Sequence, residues 1–231
     1  MMSSVRIMLI ISAIAITSVL AKNMLKEESD IHGKELNIDA SRVRRSYYGN
    51  CHDVDTWFTY DGKGHTVYLD RQSPNCGLSA IRSFQLVRNS GHNHVRYDLS
   101  CCNLPKSYRC RTSTFNTPYN KDGKGLNIYL DRHHVSCPSN GFLKHFHLNR
   151  NDHGDLYRYT FSCCSPHYYQ RSQMTCYETT TPANADGKGN MVYLDRHRPS
   201  CHIGYFINGF QLVRPTSTTI QYKYRCCAFY Q

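Results

Sequence analysis

Apolar and polar residues alternate in short runs that return three times along the chain. Val67 and Leu69 alternate with Tyr68 and Asp70, Ile128 and Leu130 with Tyr129 and Asp131, and Val192 and Leu194 with Tyr193 and Asp195. A period of two predicts a strand with one buried face. Further strands are predicted at Phe84 and Leu86, Phe146 and Leu148, and Phe210 and Leu212. A last strand closes each copy: Val95-x-Tyr97-x-Leu99-x-Cys101, Tyr157-x-Tyr159-x-Phe161-x-Cys163, and Ile220-x-Tyr222-x-Tyr224-x-Cys226. A weaker leading strand, clearest from Thr56 to Tyr60, brings the expected count to four per copy. No helical periodicity follows the N-terminal apolar run, so the expected fold is all-β, built from three homologous repeats at 46–105, 106–168 and 169–231.

An Asp-Gly-Lys-Gly segment opens the second predicted strand of each copy, at Asp61, Asp122 and Asp186. Its glycines permit the positive φ of a tight hairpin reversal. A calcium loop is the competing reading, but the preceding positions, Trp57 and Thr59 among them, lack carboxylates and no glutamate closes the loop.

The N-terminal run, Ile7 to Ala15 behind Arg6, ends at small residues and reads as a secretory signal peptide over 1–21. It is shorter than the ~20 apolar residues a membrane span needs. Residues 22–45 read as a propeptide, because Arg42, Arg44 and Arg45 have the spacing that basic-pair processing proteases recognise. The expected location is secreted and extracellular.

Twelve cysteines agree with that location, four in each repeat: Cys51, Cys76, Cys101, Cys102; Cys110, Cys137, Cys163, Cys164; Cys176, Cys201, Cys226, Cys227. No Cys-x-x-Cys spacing points to zinc, so these are expected to be disulfides. On an up-down-up-down sheet all four of a repeat meet at one pole. Adjacent cysteines are poorly placed to pair, which leaves two connectivities within a repeat; bonding between repeats stays open.

Only seven residues separate Cys102 from Cys110 and eleven separate Cys164 from Cys176, so the repeats are expected to pack about a pseudo-threefold axis, as a β-prism or a trefoil-like barrel. Three separate beads are the competing layout. The pattern Cys137-Pro138, Gly141-Phe142, Phe146-x-Leu148 and Tyr159-x-Phe161-x-Cys163, with its equivalents in the other copies, resembles that of the vitelline membrane outer layer proteins. That resemblance implies a three-sheet β-prism and an extracellular coat or carbohydrate-associated role. It transfers no functional residue, and the chain lacks that family's Trp-Gly turns and Asp-Asp-Thr segment.

From Ser46 onward the chain holds 21 Lys and Arg against 12 Asp and Glu, a net charge of +9. In a secreted protein this favours extracellular glycans, acidic matrix molecules or an anionic membrane surface over nucleic acid. The candidate ligand-binding residues are Tyr68, Asp70 and Arg71, Tyr129, Asp131 and Arg132, and Tyr193, Asp195 and Arg196. An aromatic face beside a carboxylate and a guanidinium suits a sugar, and threefold repetition adds avidity. The structural alternative has the Asp side chains pairing with Arg residues of neighbouring repeats and the Tyr rings packing between sheets. His145 and His147, with His133 and His134 nearby, form a candidate metal or pH-responsive group peculiar to repeat two. No nucleophile elbow, zinc-protease motif or phosphate loop occurs, so neither catalysis nor a cofactor is expected. Two further readings are a Tyr-rich structural or adhesive matrix protein, cross-linked through residues such as Tyr47, Tyr48, Tyr168 and Tyr169, and a cationic toxin or antimicrobial.

Overall fold

A computed structural model of the chain describes residues 50–104, 110–167 and 174–229. The segments read from sequence as a signal peptide and a propeptide, with Arg42, Arg44 and Arg45, lie outside the described residues, as do Tyr47, Tyr48, Tyr168 and Tyr169.

Antiparallel strands dominate. Repeat one contains β1 (Cys51–Asp55), β2 (Thr59–Tyr60), β3 (Ala80–Arg88) and β4 (His94–Cys102). Repeat two contains β5 (Cys110–Asn116), β6 (Asn120–Lys121), β7 (Val135–Ser136), β8 (Phe142–Arg150) and β9 (Leu156–Pro166). Repeat three contains β10 (Met174–Thr180), β11 (Asn184–Ala185), β12 (Phe206–Thr216) and β13 (Thr219–Phe229). The last long strand of each repeat is central, with the broken leading strand on one side and the third-quarter strand on the other: β1 and β2 against β4 against β3. This replaces the up-down-up-down order expected from sequence.

The second predicted strand is absent. Residues Thr66–Arg71, Asn127–Arg132 and Met191–Arg196 form 3₁₀ helices. The burial that decides this has a period of three: Thr66 with Leu69, Asn127 with Leu130, and Met191 with Leu194 are buried, each pair eclipsed on one side of a three-residue turn. The turn before it is likewise no hairpin. Asp61, Asp122 and Asp186 each accept a hydrogen bond from the backbone N–H two residues on, at 2.9, 3.0 and 2.8 Å, and the chain then passes through three positive-φ residues, such as Gly62, Lys63 and Gly64.

All twelve cysteines pair within their own repeat. Of the two connectivities left open, the observed one joins the first cysteine to the last and the middle one to the penultimate: Cys51 to Cys102 and Cys76 to Cys101, and likewise in the other copies. Each bond contributes about 2–4 kcal/mol by restricting the unfolded chain.

The repeats are joined by backbone pairing. A bulge in β3, β8 and β12, at Arg82, Lys144 and Asn208, turns a carbonyl outward. Each carbonyl accepts the N–H of a middle cysteine from another repeat: Cys76 N–H to Lys144 O at 2.9 Å, Cys137 to Asn208 at 3.0 Å, and Cys201 to Arg82 at 3.0 Å. Repeat one therefore donates to repeat two, two to three, and three to one. Separate beads are thereby excluded. The rings of Phe84, Phe146 and Phe210, one from each sheet, stand with centroids 5.0 Å apart in all three pairings, ringed by Tyr97, Tyr159 and Tyr222. Burying each such ring stabilises the fold by about 1.5–3 kcal/mol, with about 0.5–1.5 kcal/mol more per aromatic pair. A second apolar cluster, with Ala80, Phe142, Phe206 and Phe229, packs beside Cys102, Cys164 and Cys227.

Candidate functional site

The 3₁₀ helices rearrange the Tyr, Asp and Arg residues singled out by sequence. On a strand, Tyr68 and Arg71 would point to opposite faces; on a 3₁₀ helix, positions three apart eclipse. The Arg71 guanidinium accordingly lies 4.3 Å from the centroid of the Tyr68 ring, Arg132 lies 4.2 Å from Tyr129, and Arg196 lies 4.1 Å from Tyr193. Each contact contributes about 0.5–1 kcal/mol at an exposed site and holds a long, mobile side chain in one place.

The first glycine of each turn lies against the same ring. A Cβ at Gly62, Gly123 or Gly187 would be driven into Tyr68, Tyr129 or Tyr193, so only glycine allows this packing. The glycine and the guanidinium thus both pack against the ring, which is half-buried in each repeat.

The carboxylates go elsewhere. Asp70 Oδ2 accepts from Arg150 Nε and Nη2 of repeat two, both at 2.7 Å, and Asp195 Oδ2 accepts from Arg88 Nε of repeat one at 2.9 Å. These half-exposed pairs are worth about 0–1 kcal/mol each and serve mainly to fix register between repeats. Asp131 forms no ion pair among the described residues; burial raises its carboxyl pKa, against the pull of Arg214 of repeat three and of Arg132. Gln211 Nε2 donates to the Asp131 carbonyl at 2.9 Å, and Gln85 Nε2 donates to the Asp195 carbonyl at 2.8 Å. The structural alternative weighed for the Asp residues therefore holds at Asp70 and Asp195, while the Tyr rings pack within their own repeats.

What faces solvent is the guanidinium. Arg71, Arg132 and Arg196 are exposed, and among the described residues none of them forms an ion pair with a carboxylate. The corner of repeat one opens into a shallow cavity of about 360 Å³ lined by Gly62, His65, Tyr68, Asp70, Arg71 and Arg150.

Two histidines of repeat two, His145 and His147, are tied to repeat one. His145 Nε2 lies 2.9 Å from Ser73 Oγ, and His147 Nδ1 lies 2.9 Å from the Gln72 carbonyl, so both bridge to repeat one. Burial, then repulsion from His147, lowers the His145 pKa. No group of three or more His, Cys, Asp or Glu side chains able to hold a metal occurs among the described residues, and no helix there is long and apolar enough to cross a membrane.

No protein family, curated protein or solved structure matches the chain.

Proposed function

We propose that the chain from Ser46 onward is a secreted, non-catalytic protein that binds extracellular polyanions, such as sulfated or sialylated glycans or acidic matrix molecules, through its three Tyr-Arg corners. In this reading the repeats stand about a pseudo-threefold axis as a β-prism, the layout implied by the resemblance to vitelline membrane outer layer proteins, so that three equivalent cations point outward. The observation that carries it is the fixing of Arg71, Arg132 and Arg196 on tyrosine rings, with no carboxylate paired to any of them among the described residues. A guanidinium held in place loses less entropy on meeting sulfate or carboxylate than a free one, and its fork matches both groups. Three weak sites on one body gain from effective concentration on a repeating polymer. Six intra-repeat disulfides and a net charge of +9 after Arg45 support an extracellular setting and an anionic partner.

The test is binding of heparin, with its desulfated form as control, to the processed protein and to a variant carrying Arg71→Gln, Arg132→Gln and Arg196→Gln. The expected result is affinity that falls steeply with salt and drops at least tenfold in the variant, while loss of the three stacks lowers the unfolding temperature by about 3–12 °C and leaves the fold intact. Equal binding by the variant would remove the corners from the reading.

A further inference from the structure

The aromatic, carboxylate and guanidinium combination sought at Tyr68, Asp70 and Arg71 is present in open form elsewhere in repeat one. Trp57 is the only tryptophan in the chain and is 91% exposed. Its backbone is nevertheless fixed. It lies on the three-residue excursion between β1 and β2, where Thr56 N–H donates to Tyr97 O at 2.9 Å, Tyr97 N–H donates to Thr56 Oγ1 at 2.8 Å, and Gln72 Nε2 donates to Trp57 O at 3.2 Å. A large apolar ring is thus held out into water by a rigid loop.

One residue on, the ring of Phe58 ties the same loop to a closed polar network. Asp55 and Asp98 are directly opposite in the β1–β4 register, and Arg96 is two residues from Asp98 on the same face. Arg96 Nη2 lies 2.9 Å from Asp55 Oδ2, its Nε lies 2.7 Å from Asp98 Oδ1, and its guanidinium stands 4.7 Å from the centroid of the Phe58 ring. Repeat two has the corresponding stack, Arg158 on Tyr119 at 4.3 Å, but carries Pro118, Asn116 and Thr160 where repeat one has Trp57, Asp55 and Asp98. Repeat three has Pro182 and Ala183 in place of both aromatics. The open ring and the charged network therefore occur together in one repeat only.

We infer that Trp57, with the Asp55, Arg96 and Asp98 network, is a binding site for a neutral glycan chain, distinct from the polyanion corners. The indole face stacks on the apolar face of a pyranose, the carboxylates accept from its hydroxyls, and the guanidinium donates to them. Neutrality follows from charge: Asp55 and Asp98 meet Arg96, and further along the same face Asp53 lies opposite Ser100, which Arg82 reaches, so three carboxylates face two guanidiniums and the patch disfavours sulfate and sialate. The site shares no residue with the Arg corners, so either can fail while the other stands.

The single indole makes the test direct, because all tryptophan emission comes from this site. Neutral hexasaccharides of β-1,4-linked glucose, N-acetylglucosamine and mannose are titrated to millimolar concentration while Trp57 emission is followed. The expected result is a saturable change with at least one of them and none with heparin. Calorimetry should then show binding lost in Trp57→Ala and weakened at least tenfold in Arg96→Gln, with the same loss in Asp55→Asn as a check should Arg96→Gln fold poorly. No response to any neutral hexasaccharide, a response to heparin alone, or a response only to zwitterionic lipid vesicles would overturn the assignment. Each of those outcomes leaves the heparin test of the corners unaffected.

Discussion

Repeats one and two build the same buried joint from different chemistry. In repeat one Gln72 follows the 3₁₀ helix; its Nε2 donates to Thr59 Oγ1 at 2.6 Å, Val95 O at 3.1 Å and Trp57 O at 3.2 Å, and its Oε1 accepts from Thr56 Oγ1. In repeat two the residue is His133, which meets Thr117 Oγ1 through Nδ1 at 2.9 Å, while its Nε2 is buried without a hydrogen-bond partner among the described residues. Repeat three repeats the histidine arrangement with Thr181 and His197 at 3.0 Å. The threonine is the fixed element: its hydroxyl oxygen accepts the N–H of Tyr97, Tyr159 or Tyr222, so its proton always needs an acceptor. The frame therefore constrains the geometry of the joint and tolerates any side chain that meets that need. Outside, where the frame does not set the choice, the repeats differ: Asp55 and Asp98 pair with Arg96 in repeat one, whereas Thr160 donates to Asn116 in repeat two.

If the frame is equivalent in all three repeats, matched substitutions should have matched effects. The largest test is Phe84→Ala against Phe146→Ala: each ring touches the other two at 5.0 Å, so each loss should cost about 3–5 kcal/mol in denaturant unfolding. Values differing by more than about 2.5 kcal/mol would break the equivalence, since that exceeds the spread of one substitution type across core sites. Next come paired alanine replacements of Cys76 with Cys101 and of Cys137 with Cys163, which close loops with sequence separations of 25 and 26. Equal losses of about 2–4 kcal/mol are expected. A smaller contrast separates two glycines of nearly equal φ. Gly77, at φ +59, has nothing within 4 Å of a built Cβ, so Gly77→Ala should cost only the left-handed penalty, about 1 kcal/mol. Gly62, at φ +60, backs onto the Tyr68 ring, so Gly62→Ala should cost more than Gly77→Ala and also release Arg71 from its stack.

How far the sequence reaches can be argued from the same residues. Val95, Tyr97, Leu99 and Cys101 alternate on one buried face, and so β4 and its counterparts were legible, as was the meeting of all four cysteines at one pole. Residues 66–71 were misread because Val67 and Leu69 mimic period two, while the pair that matters, Thr66 and Leu69, is half polar. Met191 with Leu194 in repeat three is the one copy in which both residues of the buried three-residue pair are apolar. The same misreading hid how the Tyr and Arg residues are arranged, since only a 3₁₀ helix stacks Arg71 on Tyr68. The partners of Asp70 and Asp195 stand 80 and 107 residues away in sequence, beyond any local pattern. The Asp55, Arg96 and Asp98 network was missed for a related reason: the outward spacing of Arg96 and Asp98 on β4 is visible, but their register against Asp55 is not.

The finest contrast lies in acid. Burial, followed by the charge of Arg132, pushes His133 down from 6.5 to about 4, and burial likewise lowers His197. In the unfolded chain the same imidazole takes up its proton near 6.5, so the unfolded state binds more protons as the pH falls below that value. Stability contributed by a neutral His133 is thus complete above about pH 6.5 and is lost progressively toward about pH 4. The hydrogen bonds give the reason: protonated Nδ1 becomes a donor facing Thr117 Oγ1, which already accepts from Tyr159 and has its own proton to place. Gln72 shows what the joint accepts without this cost, because an amide oxygen takes the threonine proton at any pH. His133→Gln should therefore leave the unfolding midpoint at pH 7.5 nearly unchanged while flattening its decline between pH 6.5 and 4, and Gln72→His should steepen it. Parallel curves for wild type and His133→Gln across that window would show that the joint does not titrate as its burial requires, and that acid acts on this fold elsewhere.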